Sequence, residues 1–194
     1  MRDEKEAPPL RRRGERMRQA VLDATVDLLT SQGLTATTVA AVARAAGVHE
    51  TTVYRRWKTR ENLIFDALAT RSDQALPVPD TGTVRQDLAV LFTALTDFLA
   101  TPAGAAMLHL GTVHEERALE EGRRSYWRAR MERAEALVRR GIDRGELAAD
   151  TDPHLVVEAI TGPLLARVLL TGEPLEETLA PRLVDLVLDG ARVP

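Results

Sequence analysis

Apolar residues along the chain recur at three- and four-residue spacing, and strand-like alternation is scarce, with aromatics at only 4%. The pattern predicts an all-α protein. A first helix is expected over about 15–31, with Val21, Ala24, Thr25, Leu28 and Leu29 on its apolar face and Gly33 as its stop. Further helices are expected over about 38–47, 50–57 and 60–71. The run QALPVPDTGTV, residues 74–84, then breaks the periodicity with two prolines and a glycine. It predicts a boundary between a domain at 14–73 and a second at 74–194. In the second, helices are expected over about 84–99, 103–113, 121–144, 153–170 and 176–189. No internal repeat or low-complexity segment is present.

Residues 38–57 have the pattern of two short helices around a tight turn. Gly47 suits that turn because glycine adopts positive φ without penalty. Ala43 is small enough to let the two helices cross closely, and Val39, Val42, Val48, Val53 and Trp57 supply the apolar contacts. This is a helix-turn-helix, whose second helix can enter the major groove. With Val53 facing the core, Trp57 is buried too. Thr51, Tyr54, Arg55 and Lys58 face outward, with Thr52 on the flank and His49 just ahead. Hydroxyls, a phenol and cations on one face suit phosphate oxygens and base edges, the alternative being an ordinary solvated helix.

Charge supports the first reading. The net charge is −3, but residues 1–72 hold 13 Lys+Arg against 9 Asp+Glu, or +4, and the rest hold 13 against 20, or −7. Basic charge confined to one segment fits a small module that meets a polyanion. Arg11, Arg12 and Arg13 fall in an expected basic arm over 1–13. It can reach a minor groove or remain a solvated tail.

The run TTVAAVARAAGVHETTVYRRWKTRENLIFDAL resembles the DNA-binding domain of TetR-type transcriptional regulators. The recognition-helix pattern falls on Thr52, Tyr54, Arg55, Arg56 and Trp57, and the start of the next helix on Thr59, Arg60, Glu61 and Leu63. The resemblance spans about 14–71. It implies DNA contacts for Thr52, Tyr54 and Arg55, phosphate contacts around Lys58 to Arg60, and phosphate contacts through the hydroxyls or amides of Thr37 and Thr38. Two positions depart from the family's habit: Glu50 stands where lysine is common, and Lys58 where proline is. Glu50 can accept a hydrogen bond from cytosine or simply favour the positive end of the helix dipole.

The resemblance also implies that the last two helices pair with those of a second copy in a homodimer. Here that assigns Ile160, Leu164, Val168, Leu179, Leu183, Leu186 and Val187 to the interface, although a monomer's own core would read alike. It further implies a small-molecule effector in the second domain. The candidate lining residues are Leu88, Phe92, Leu95, Met107, His109, Leu110, Trp127 and Met131. With few ionisable groups among them, an apolar or aromatic effector is expected. The fourth helix, with Leu63, Ile64, Ala67 and Leu68, is the expected lever between effector and DNA.

Other classes lack their chemistry. Cysteine is absent, so there is neither a disulfide framework nor a thiolate metal site. His109 and His114 do not have the i, i+4 spacing of an HExxH metal pair, and no glycine-rich phosphate loop or serine elbow is present. No cofactor or metal is therefore expected. No signal peptide is visible and no apolar run is expected to span a bilayer, so a cytoplasmic protein without a membrane partner follows. The expectation is a dimeric regulator, most often a repressor, that binds a double-stranded palindromic operator. A helical protein-interaction module or a small-molecule enzyme is the alternative.

Overall fold

The computed structural model describes residues 10–112 and 117–190. All regular elements among them are helical: α1 (Leu10–Ala36), α2 (Val39–Ala45), α3 (Glu50–Trp57), α4 (Arg60–Ala75), α5 (Val84–Leu99), α6 (Pro102–Thr112), α7 (Arg117–Asp143), α8 (Pro153–Ala166) and α9 (Leu179–Gly190). The chain forms two compact units, the first closing at Thr70 and the second opening at Arg71.

In the first unit, α1, α2, α3 and the start of α4 enclose one apolar cluster. It contains Val21, Leu22, Val39, Val42, Ala43, Val53, Trp57, Leu63 and Ala67. Each large side chain removed from water there stabilises the fold by about 1.5–3 kcal/mol. Thr38 opens α2 by accepting the Ala41 N–H at 3.1 Å, an N-cap that satisfies one of the helix's orphan donors. Gly47 turns the chain at φ 66°. α1 begins earlier than the apolar period suggested, so the backbone of Arg11, Arg12 and Arg13 is helical from Leu10 onward rather than an extended arm. The remainder of the expected arm, 1–9, lies outside the described residues. Gly33 leaves helical geometry as expected (φ 81°, ψ 178°), although helical hydrogen bonding resumes to Ala36.

The second unit is built around α5, α7, α8 and α9. Leu88, Phe92, Leu137, Val138, Val157, Ile160, Leu164, Val184 and Leu188 form its centre. α7 crosses the start of α5 so closely that a Cβ on Gly141 would lie 2.6 Å from the Val84 Cβ. α4 extends a turn past its expected end because tertiary contacts hold that turn: Ser72 is fully buried and Asp73 pairs with arginines of α7. α8 continues through Pro163, and α-geometry gives way only at a π-helical turn over Arg167–Thr171, ended by Gly172 at φ 68°. α9 starts at Leu179 rather than about 176, with Pro181 in its first turn. The expected end of α6 at Val113, and His114, lie outside the described residues.

One expectation is corrected by the length of the eighth helix. The continuous helical stretch Pro153–Thr171 has 19 residues, long and apolar enough to cross a membrane by length and composition alone. The isolated glycine, proline and arginine disguised it, because they lower the mean hydropathy less than they interrupt the run. Val156, Val157, Ile160 and Leu164 of this stretch are buried in the unit's core. On another side Leu155, Ala159, Gly162 and Pro163 share an exposed arc at helical spacing.

Candidate nucleic-acid interface and effector cavity

The face of α3 that points away from Val53 and Trp57 carries Thr51, Tyr54, Arg55 and Arg56, all exposed. Tyr54 is 49% exposed, which is high for so large a ring. Thr52 is half-buried on the flank, as the helical phase requires. His49 is exposed at the N-cap and its side chain caps nothing. Glu50 is exposed in the first turn. Arg56, which the sequence pattern matched without a role, lies with its guanidinium 5.6 Å from the Trp57 ring. This stacking fixes the direction of the cation.

Lys58 joins α3 to α4 at φ 68° and ψ −45°, backbone that residues with a Cβ seldom adopt. The Thr59 N–H closes the turn on the Trp57 carbonyl at 2.8 Å, and Asn62 Nδ2 donates to the same oxygen at 3.0 Å. Lys58, in this tight three-residue turn just past the end of α3, is exposed. Arg60 pairs with Glu61 at 3.2 Å, so its charge is partly engaged within α4. Thr38 is exposed, but its hydroxyl serves the α2 cap.

Thr37 is elsewhere. It is fully buried, its hydroxyl donates to the Gly33 carbonyl at 2.8 Å and its amide to the Leu34 carbonyl at 3.2 Å. Neither group is available to a phosphate. Two adjacent threonines look equivalent in sequence, and only the backbone course after Gly33 tells the buried one from the cap.

The second unit holds a cavity of about 500 Å³ between α5, α6, α7 and α8, closed on one side by Leu76, Pro77 and Val78. Phe92, Leu95, Met107, Trp127 and Met131 line it. Leu88, His109 and Leu110 do not: Leu88 and Leu110 are buried elsewhere, and His109 is exposed. Leu91, Tyr126, Ala134, Leu137 and the α8 wall of Val157, Thr161 and Leu165 also line it, and the apolar spacing had not singled them out. The all-round apolarity of α8 was the available signal, since such a helix must meet neighbours on several sides.

Charged groups also reach this cavity, contrary to the expectation drawn from the lining candidates. Arg130 lines it with its guanidinium 4.1 Å from the Tyr126 ring, and its Nη2 donates to Asp73 Oδ1 at 2.6 Å. Arg133 reaches the same carboxylate, with Nη2 3.3 Å from Oδ2. Tyr126 meets the Trp127 ring edge-on at 5.5 Å and its hydroxyl contacts the Met107 sulfur. Burial pushes its phenol above the ordinary range, so it stays neutral. At the α8 wall, His154 bonds Glu135 at 2.8 Å and lies 3.2 Å from Glu158. The hydrogen bond to Glu135 raises the imidazole pKa above 6.5, and the same bond lowers that of Glu135. Among the described residues no group of His, Asp and Glu could hold a metal ion.

The interface candidates fall into two sets. Ile160, Leu164 and Leu179 are buried in the subunit's own core and cannot also face a partner, which corrects their assignment. Val168, Leu183 and Val187 are half-buried, and Leu186 is 72% exposed. Leu155, Leu169 and Leu170, at 62%, 43% and 82%, were not among the candidates and are exposed on the α8 side.

The sequence profile of bacterial regulatory proteins of the tetR family matches residues 21–67, and that of the tetracyclin repressor-like C-terminal domain matches residues 78–187. The chain belongs to the TetR family of transcriptional regulators. It is 40% identical over 179 residues to the HTH-type transcriptional regulator AqdR of Rhodococcus erythropolis, covering 92% of this chain and 86% of that one. To the DNA-binding transcriptional repressor TetR of Mycobacteroides abscessus it is 30% identical over 182 residues, 91% of this chain and 94% of that one. The crystal structure of the TetR family transcription regulator SCO0332 superposes with a TM-score of 0.78 at 31% identity, covering 92% of this chain and 99% of that one. As in other TetR-family regulators, the helix-turn-helix unit is a DNA-binding module. Members of the family act as dimers and respond to small molecules.

Proposed function

We propose that this TetR-family regulator is a homodimeric repressor that binds a palindromic operator in the cytoplasm and releases it when an effector enters the cavity of the second unit. The observation that carries the DNA reading is the outer face of α3. Thr51, Tyr54 and Arg55 are exposed together, the flank is held by Thr52, and Lys58 is exposed in the strained turn just past the helix end. With His49 and Thr38 these form the assigned DNA-contacting set, while Arg60 contributes less because Glu61 shares its charge. Thr37, being buried, takes no part. The repressor reading is supported by the name of the Mycobacteroides relative.

The dimer reading rests on the exposed arc of α8 with Leu169, Leu170 and Leu186. These are large apolar side chains whose exposure costs solubility unless a second copy covers them. A twofold dimer also matches the symmetry of a palindrome. The effector reading rests on the cavity. Its walls from Phe92, Leu95, Met107, Trp127 and Met131 suit a molecule that is apolar or aromatic over most of its surface.

Footprinting of the purified protein on DNA upstream of its own and neighbouring genes tests the reading. A protected palindrome is expected. Uniform protection at every sequence, or none, would exclude sequence-specific regulation.

A further inference from the structure

We infer that the effector is an apolar anion, whose acidic group is taken by Arg130 and Arg133 while its hydrophobic body fills the cavity; this rests on the effector reading above. Most of the cavity is aliphatic and aromatic, but Arg130 and Arg133 also line it, and both of these guanidiniums meet a single carboxylate, Asp73. Asp73 accepts from Arg130 at 2.6 Å and from both Arg133 Nη groups, at 2.5 and 3.3 Å, so these three groups together carry one positive charge in excess. The Arg130 side chain is only 14% exposed, and its plane is fixed over Tyr126 at 4.1 Å. A planar, always-charged fork held rigid at the edge of an apolar space is the arrangement that recognises a carboxylate or another oxyanion bidentately.

Elsewhere in the lining, carboxylates disfavour the anion. Glu158 lines the cavity and Glu135 stands behind His154, so the imidazole's charge is already matched there by carboxylates. The acidic group therefore has one favourable place, beside the two guanidiniums that Asp73 already engages. The effector's anion competes with the Asp73 carboxylate for the same two guanidiniums. Asp73 lies in the last turn of α4, so ligand binding at the cavity loosens a contact that holds this turn.

Two dyes with one shared ring system test the inference: anionic 1-anilinonaphthalene-8-sulfonate and neutral N-phenyl-1-naphthylamine. Their affinities for the intact protein are read from fluorescence enhancement. The anionic dye should bind about tenfold more tightly, the size of one charge-assisted contact. That ratio should fall to about one in Arg130→Gln and Arg133→Gln, and lie between that and the wild-type ratio in Arg130→Lys, which keeps the charge but not the fork, with thermal melts confirming that each variant is folded. Because Arg133 is 46% exposed, its variant keeps the test open should Arg130→Gln fail to fold. Asp73→Asn should tighten the anionic dye by removing its competitor. Equal binding of both dyes, or a ratio unchanged in both glutamine variants, overturns the anion inference and leaves the cavity in place. If Leu95→Trp displaces neither dye, or neither binds the wild type, the effector cavity itself is wrong and the inference falls with it.

Discussion

Trp57, the last residue of the recognition helix, donates its indole N–H to Asp66 at 2.8 Å, and the other oxygen of that carboxylate accepts from Arg18 at 2.8 Å. One side chain of α4 thus ties α3 to α1. Arg18 also reaches the Thr70 hydroxyl at 3.2 Å. Asp66→Ala leaves a nearly buried indole donor and a half-buried guanidinium without their acceptor, and should cost the unit about 1–3 kcal/mol. Calorimetry should show the loss, and operator affinity should fall although no DNA-facing group was changed. An unaltered melting temperature would mean the bonds contribute nothing net.

On the DNA face, Tyr54→Phe removes one exposed hydroxyl and should weaken operator binding by about 1 kcal/mol per half-site. Arg55→Ala should also lower the slope of log K against log salt by about one for each phosphate left without its cation. Titrations at several salt concentrations on a single operator compare the two. Wild-type affinity in both variants would exclude this face from the complex.

For the dimer, Leu186→Glu is a cleaner probe than a change at Leu183, because Leu186 is 72% exposed and Leu183 packs partly against its own core. The charge should separate the subunits, since burying it unpaired at an interface costs several kcal/mol. Light scattering should report monomer, with operator binding abolished. A dimer of wild-type strength would move the interface off α9.

His154 links α8 to Glu135 of α7. Its folded pKa is raised above 6.5, so its contribution is complete below pH 6.5 and is lost as pH rises through the folded value. Glu135 is lowered from 4.5, so its contribution is complete above that value and is lost as pH falls through the folded one. The link is therefore fully formed between about pH 4.5 and 6.5. Arg139, Glu158 and Asp152 face the same groups and set the background. His154→Gln should narrow the gap between melting temperatures at about pH 6 and about pH 9. An identical gap would show that the link does not stabilise the fold.

Gly141→Ala places a methyl group 2.6 Å from the Val84 Cβ. Relieving that overlap requires α5 and α7 to move apart, at a cost of about 1–3 kcal/mol. Urea unfolding should show the loss in the second unit. Unchanged stability would mean that the crossing yields freely.

The amino-acid sequence determined the helical class, the turn at Gly47, the phase of α3 and so which of its residues face outward. Each of these depends on spacing within a few residues, and local geometry converts that spacing into a face. It also marked α8 as a helix that must be covered on several sides. What it could not determine was which side meets what. Ile160 and Leu164 differ from Leu155 only by their angle round α8, and whether an angle looks at the core, the cavity or solvent depends on where α5, α7 and α9 lie. Thr37 and Thr38 were inseparable until the chain's course after Gly33 buried one hydroxyl and left the other to cap α2. The arginines that line the cavity, Arg130 and Arg133, pair with Asp73, more than fifty residues away along the chain. No local pattern brings such groups together; the packing of α4's last turn against α7 does.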